Sequence, residues 1–155
     1  MTDADELIPL ARLLAMAYRD LIEKLHARLR ERGWSQVRPA FGFVLLAARD
    51  APITITEIAA VMGTTKQAAS KLAAVMSDAG YLVIAADPDD GRQRPLRLSP
   101  RGEELLADVE DIYRELEAEW AMVIGASALK RLRRSLHTAV LASHGGELPA
   151  VRPSW

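Results

Sequence analysis

Apolar residues recur at helical spacing in the first third of the chain. The stripe alternates steps of four and three until Gly33 interrupts it, and it consists of Leu7, Ala11, Leu14, Tyr18, Leu21 and Leu25. This spacing predicts a long amphipathic helix over residues 7–32. Further apolar positions make the stripe too wide for one neighbour to cover, so the helix is expected to pack against several partners.

Two more amphipathic helices are predicted near the C-terminus. Ser99-Pro100 pairs a capping residue with the proline favoured in a first helical turn. The apolar positions that follow, up to a stop at Gly125, are Leu105, Val109, Ile112, Leu116, Trp120 and Val123. Ser127 is expected to cap a last helix, which ends at Gly145-Gly146. The tail over 147–155 contains two prolines and is expected to be flexible.

The middle of the chain contains two successive helix-start signals. Thr54-Ile55-Thr56-Glu57 fits a capping box whose short helix ends at Gly63, and Thr64-Thr65-Lys66-Gln67 fits a second box, opening a helix to about Asp78. The predicted inner face of this second helix is Ala68, Leu72, Val75 and Ala79, and the outer face is Lys66, Gln67, Ser70, Lys71 and Ala74. A glycine turn between a short helix and a helix with a small, basic outer face is typical of the helix-turn-helix, which reads the DNA major groove.

A β-hairpin is predicted directly after these helices. Residues 82–86 and 94–98 are short strand-like runs separated by the turn residues of 87–91, and Pro95 marks the second run as an edge strand. After Asp90 the chain has no acidic residue until Glu103, while four arginines fall between: Arg92, Arg94, Arg97 and Arg101. Such a hairpin beside a recognition helix forms a wing, and Arg92 and Arg94 near its tip suit the negative potential of a narrow minor groove.

Composition narrows the function classes. The 155 residues are 50% apolar and 26% charged, with a net charge of −1, which favours one folded unit over 1–155. Cysteine is absent, which excludes disulfides and thiolate metal sites and suits the cytoplasm. The sequence has no glycine-rich phosphate loop, nucleophile elbow or His-Glu-x-x-His motif, so no enzyme and no cofactor is expected. The three histidines lack metal-binding spacing, and no metal is assigned.

Residues 55–102 resemble, in order and spacing, the signatures of the MarR-type winged helix-turn-helix regulators of bacteria and archaea. The matching segments are Thr56-Glu57-Ile58-Ala59 with Gly63, Thr65-Lys66-Gln67-Ala68, Gly80-Tyr81-Leu82, Asp87-Pro88-Asp89-Asp90-Gly91-Arg92 and Leu98-Ser99-Pro100-Arg101-Gly102. The resemblance implies a mainly α fold in which a winged module over 36–102, with a small β-hairpin, is set in a helical dimerisation frame formed by 7–32 and 103–142. It also implies that two modules read an inverted repeat in double-stranded DNA. The breadth of the apolar stripes independently predicts a homodimer with no stable folded monomer.

The resemblance also assigns residue roles and a mode of regulation. By position Arg92 matches the family's wing-tip arginine and Asp90 the acid that braces it, whereas Gly91 stands where many relatives have a second arginine. Family members are often repressors that a phenolic or other amphipathic ligand releases from the operator. Trp34, Phe41 and Phe43 fall near the expected ligand cleft.

The residues predicted to contact DNA are Thr65, Lys66, Gln67, Ser70, Lys71, Arg92 and Arg94. Gln67 has an equally good alternative role, in which its amide folds back on the Thr64 N–H as part of the capping box. Lys66 and Lys71 could be ordinary solvated lysines. The alternative for the whole chain is a helical dimeric protein-interaction module without sequence-specific DNA binding, which would leave the second helix start and the arginine-rich window without a role.

Overall fold

A computed structural model describes residues 8–85 and 94–152 of the chain. These parts contain six helices and one antiparallel hairpin, so the predicted fold class is confirmed. In chain order the elements are α1 (Leu10–Glu31), α2 (Pro39–Ala47), α3 (Ile55–Met62), α4 (Lys66–Asp78), β1 (Leu82–Ile84), β2 (Leu96–Leu98), α5 (Pro100–Ile124) and α6 (Ala126–Ser143). None of the helices within the described ranges is long and apolar enough to cross a membrane.

Helix α1 is the predicted first helix, but only its second half is buried within the chain. Leu25 and Leu29 are almost fully buried, whereas the large apolar side chains of the first half remain exposed: Leu10, Leu13, Leu14, Met16 and Tyr18. Gly33, with φ of 94°, ends the helix region as expected. Leu7, the first position of the predicted stripe, lies outside the described residues. The N-terminal half of α1 therefore presents an apolar face that a single chain does not cover.

Helices α5 and α6 complete the frame. The Ser99 hydroxyl accepts a hydrogen bond from the Gly102 N–H at 3.0 Å, which confirms the predicted cap, and Pro100 occupies the first turn. The predicted cap at Ser127 is wrong, because Gly125, with φ of 88°, turns the chain so that α6 already begins at Ala126. Side chains of α5 fill the core, whereas no residue of α6 is buried.

Salt bridges connect the C-terminal end of α1 to α5. Arg32 contacts Asp108 at 2.9 Å and Glu115 at 2.5 Å, and Arg28 contacts Glu115 at 3.2 Å and also pairs with Glu119. The arginine side chains are only about a quarter exposed, at 24% and 28%, so water screens these pairs less than it would on an open surface. They join the C-terminal end of α1 to α5.

Helix α2 was not predicted from the sequence. Its nine residues are apolar all round, so no helical periodicity distinguishes an inner face. Phe41, Val44 and Leu45 are at most 1% exposed, which makes α2 the central element of the core. Side chains of α1, α3, α4, α5 and the hairpin join the same buried cluster.

The hairpin pairs Leu82 with Leu98, Val83 with Arg97 and Ile84 with Leu96. The predicted edge position of β2 is wrong at one point, because Ile53 forms a bridge to Leu96 on its other side, with N–H to carbonyl distances of 2.7 and 2.8 Å. Pro95 is tolerated because it precedes the strand and only accepts, taking a hydrogen bond from the Ala85 N–H.

Candidate nucleic-acid interface and ligand pocket

The α3–α4 pair has the geometry of a helix-turn-helix. Thr54 and Glu57 form both hydrogen bonds of a capping box at the start of α3. Gly63 adopts the left-handed conformation at the helix end, with φ of 61°, and the Thr64 N–H donates to the Ala59 carbonyl at 3.0 Å. The tight turn places α4 immediately after α3.

The start of α4 differs by one residue from the prediction. Thr65, not Thr64, is the N-cap, and its hydroxyl accepts from the Ala68 N–H at 3.1 Å. The alternative in which Gln67 folds back on the Thr64 N–H is therefore wrong, because that N–H is already donated to Ala59. Gln67 lies in the first turn of α4 with its side chain exposed.

The predicted outer face of α4 is exposed over its whole length. It carries Lys66, Gln67, Ser70, Lys71 and Ala74. Within the described parts of the chain, neither lysine forms an ion pair with an acidic side chain. Small side chains between two unpaired cations allow a helix backbone to approach the floor of a major groove.

The predicted inner face of α4 is partly wrong. The buried residues are Ala69, Ala73 and Met76, with Leu72 half-buried, whereas Ala68, Val75 and Ala79 are exposed. The true face is rotated by about one residue, or roughly 100°, from the predicted one. Ala69 and Ala73 belong to the buried core cluster, so packing against the core decides which face of α4 turns inward.

The wing tip lies outside the described residues. This applies to Arg92, to Asp90 and to the turn over 87–91. Arg94 is described and exposed, and Arg97 is turned toward the Leu98 carbonyl, which accepts a hydrogen bond from its guanidinium at 3.3 Å. Of the two predicted wing contacts, Arg94 is described, and its exposed side chain lies just before β2.

The base of the wing is a tightly joined corner around Tyr81. Gly80 has φ of 84°, the Tyr81 carbonyl accepts from the Ser99 N–H at 3.0 Å, and the Ser99 hydroxyl donates to the Gly80 carbonyl. A Cβ on Gly102 would lie 2.2 Å from the Tyr81 carbonyl oxygen, so only glycine permits this approach of α5. The corner joins the end of α4, both strands and the start of α5.

Two aromatic rings hold the side chain of Arg101 at this corner. The guanidinium carbon lies 5.1 Å from the centroid of the Trp34 ring and 5.6 Å from that of Tyr81. The indole N–H of Trp34 donates to an Asp108 carboxylate oxygen at 2.6 Å. Sequence reasoning missed this cluster, because Trp34 and Asp108 are 74 residues apart and no local pattern connects them.

An apolar pocket of about 130 Å³ lies between the frame and the winged module. Its walls come from α1, α2, α5 and the segment before α2, with Val151 of the C-terminal tail also contributing. Of the three residues predicted to lie near the ligand cleft, Phe43 lines this cavity. Phe41 instead lines a separate open groove beside Val75 and Ala79, and Trp34 belongs to the Arg101 cluster.

The polar side chains around the pocket are Tyr18, His26, Arg38, Glu110 and Tyr113. Burial, aided by Tyr18 and Glu110, raises the pKa of Tyr113 to about 12, so its phenol keeps its proton. Burial also lowers the pKa of His26, against a hydrogen bond to the Val37 backbone. Glu110 pairs with Arg49 on the outer side, whereas Arg38 is exposed and forms no ion pair within the described residues. The pocket thus combines apolar walls with neutral donors, the unpaired cation of Arg38, and the carboxylate of Glu110, which is paired with Arg49.

Comparison with known proteins identifies the family that the winged module resembles. A model of the MarR family matches residues 42–93. A comparison of the sequence with curated proteins finds no match.

Solved structures extend the likeness to the frame. Apo MarR from Escherichia coli superposes with a TM-score of 0.70 at 21% identity, covering 86% of this chain and 98% of that one. A MarR family protein from Mycobacterium tuberculosis in complex with salicylic acid gives 0.66 at 23% identity, covering 85% and 96%. A mutant of MepR from Staphylococcus aureus bound to an oligodeoxyribonucleotide gives 0.61 at 19% identity, covering 88% and 98%. The resemblance to the MarR family is therefore confirmed, and the chain has the fold of its transcriptional regulators.

Proposed function

We propose that this chain, a winged helix-turn-helix protein of the MarR type, is a homodimeric repressor that binds an inverted-repeat operator and is released by a small amphipathic ligand. The observation that carries the DNA-binding step is the outer face of α4. Lys66 and Lys71 flank Gln67 and Ser70 on an exposed surface, and none of these side chains forms an ion pair or a side-chain hydrogen bond within the described residues. Such a face supplies phosphate contacts and base-edge contacts together.

Each side chain has a separate part in this proposal. Gln67 and Ser70 reach base edges, the two lysines neutralise phosphates, and Thr65 presents its backbone at the helix start while its hydroxyl caps α4. Arg92 and Arg94 extend the contact into the flanking minor groove. Asp90 braces Arg92.

The homodimer follows from apolar surface that one chain leaves uncovered. Met122 and Val123 at the end of α5 are 88% and 84% exposed, Leu10 on α1 is 64% exposed, and α6 has no buried residue. Large apolar side chains at such exposure mark a surface that is covered in the working protein. We assign the covering partner as a second copy of the chain, through the frame over 7–32 and 103–142. Two copies then present two α4 helices to successive major grooves, roughly 34 Å apart.

The DNA-binding step is tested by selecting fragments from the source genome with the purified protein. We expect a small set of fragments that share an inverted repeat, each bound at least about a thousandfold more tightly than random DNA. The logarithm of the binding constant should fall linearly with that of the salt concentration, with a slope that reflects several phosphate contacts. Equal affinity for all fragments would favour the alternative of a protein-interaction module whose basic residues bind DNA without specificity.

The ligand step is supported by the pocket. Its volume is close to that of an engineered apolar cavity of about 150 Å³ that admits benzene, so one aromatic ring fits. The unpaired Arg38 favours a ring that carries an acidic group, and the Tyr113 phenol can donate a hydrogen bond to it. Salicylate is a suitable probe, with benzyl alcohol as the uncharged control. We expect salicylate to release the selected DNA at lower concentration than benzyl alcohol, and Arg38→Gln to abolish that difference. Equal potency of the two probes would contradict the role of Arg38.

A further inference from the structure

Trp34 lies between the helical frame and the winged module and contacts both. It follows α1 and precedes α2, and it is half-buried. Its indole N–H donates to one carboxylate oxygen of Asp108, and the other oxygen accepts from Arg32 at 2.9 Å. One edge of the indole is therefore fixed to a carboxylate that itself joins α1 to α5.

The ring of Trp34 faces the module. Its centroid is 6.0 Å from that of Tyr81, with the rings tilted by 55°, and the guanidinium of Arg101 is held by both. A cation over aromatic faces is attracted by the partial negative potential of the ring faces, and the attraction is stronger where water is excluded. Tyr81 is only 3% exposed, so this contact reaches the interior of the module.

Tyr81 transmits the contact to the recognition helix. Its N–H donates to the carbonyl of Met76, in the last turns of α4, at 2.9 Å. On its other side Phe41 of α2 packs edge-on, again at 6.0 Å between centroids. Any rotation of α4 relative to the frame must therefore move Tyr81 against Trp34.

We propose that Trp34 is a positioning residue that fixes the angle of α4 relative to the helical frame, and so sets the half-site spacing that the dimer accepts. The proposal rests on the DNA-binding function proposed above. Helix α4 has 13 residues and is about 20 Å long. A rotation of about 10° at its Tyr81 end moves the other end by about 3.5 Å, which is the rise of one base pair. A small change of this angle thus shifts the base-reading end of α4 by about one base pair, and it changes the half-site spacing of the dimer accordingly.

The test uses Trp34→Phe, which keeps a ring beside Arg101 but removes the indole N–H that holds Asp108. The probe is a duplex selected by the wild-type protein, together with versions whose half-sites are one base pair closer or farther apart. Wild type should lose affinity by about tenfold or more on the altered duplexes, as expected when one recognition helix is out of register. Trp34→Phe should lose less than about threefold. Trp155→Phe is the matched control, because it makes the same replacement at a position outside the residue ranges of the frame and the winged module, and it should behave as wild type.

Each outcome decides between the possible roles of Trp34. A spacing preference in Trp34→Phe equal to that of wild type would overturn the proposal, even if its melting temperature falls. If Trp34→Phe does not fold, Arg101→Leu tests the same contact, because it keeps the aliphatic packing but removes the cation between the rings. A wild-type preference in that variant would also overturn the proposal, and a uniform loss on all duplexes would make Arg101 a phosphate contact instead. Failure of wild type to select any duplex would refute the proposed function itself, and the inference with it.

Discussion

Gly102→Ala is expected to destabilise the protein, although alanine is the better helix former. The new Cβ would lie 2.2 Å from the Tyr81 carbonyl oxygen and 3.1 Å from its carbonyl carbon. Both are backbone atoms, so no side chain can rotate away. Helix α5 must move by about 1.2 Å to reach the 3.4 Å of ordinary contact, and Gly102 and Tyr81 are tied to each other through Ser99.

The size of the effect follows from three contributions. Overpacking costs about 1–3 kcal/mol, and weakening the hydrogen bond from Ser99 to Tyr81 costs about 1 kcal/mol. Replacing a helical glycine by alanine raises the free energy of unfolding by about 1 kcal/mol. The net loss of about 1–3 kcal/mol lowers the melting temperature by roughly 2–12 °C in a chain of this size.

Gly42→Ala is the matched control. Gly42 also lies inside a helix, but a Cβ there meets no atom within 4 Å. This variant should gain about 0.5–1 kcal/mol from the reduced freedom of the unfolded chain. Thermal and urea unfolding of the two variants should therefore shift in opposite directions from wild type. Equal shifts of one sign would show that helix propensity, and not the contact with Tyr81, decides stability at Gly102.

Three further predictions concern assembly, recognition and pH. Leu14→Asp places a charge on the exposed apolar face of α1 and should dissociate and unfold the protein together, so a folded dimer by light scattering and circular dichroism would contradict the proposed interface. Ser70→Ala should reduce the discrimination between operator and random DNA by about 1–3 kcal/mol. Lys71→Ala should weaken binding to both DNAs and reduce the slope of the logarithm of the binding constant against that of the salt concentration by about 1. The reverse pattern would exchange their roles. Because the pKa of His26 is lowered on folding, the unfolded chain binds its proton more strongly, and stability should fall as pH decreases through 6.5 until His26 protonates in the folded state. Melting temperatures between pH 7 and 5 should therefore fall more for wild type than for His26→Asn, and parallel curves would exclude a contribution from His26.

Capping residues correctly predicted the starts of the helices whose caps bond only to nearby residues in the sequence. The caps at Thr54 and Ser99 each bond within three residues, so the sequence contains everything that decides them. At α6 the same reasoning failed, because the positive φ of Gly125 allowed the helix to begin before the expected cap. The signal at Ser127 was present, but the preceding glycine made it unnecessary.

Long-range packing decided the features that sequence reasoning missed. The inner face of α4 was ambiguous because alanine pairs at 68–69 and 73–74 offer two stripes of similar quality, and only contact with the rest of the core selects between them. For the same reason, the three residues predicted to lie near the ligand cleft occupy different places in the structure. Phe43 lines the cavity, whereas Trp34 donates a hydrogen bond to Asp108, which is far away in the sequence.

Helix α5 offers a physical route from the proposed ligand to the proposed DNA contact, because it borders both the pocket and the Trp34 cluster. Leu106, Val109 and Tyr113 line the cavity, while Asp108 on the adjacent stripe holds the indole of Trp34. A bound aromatic ring that buries about 100 Å² of apolar surface gains about 2.5 kcal/mol. Consider a second arrangement in which α5 has shifted away from α2. If the ligand gains this free energy only there, it changes the equilibrium constant between the two arrangements by a factor of about 70. The same shift would move Asp108, and with it the angle of α4. In this scheme the ligand releases DNA without touching the recognition helix. It needs only to fit the cavity better in the shifted arrangement, whose half-site spacing does not match the operator.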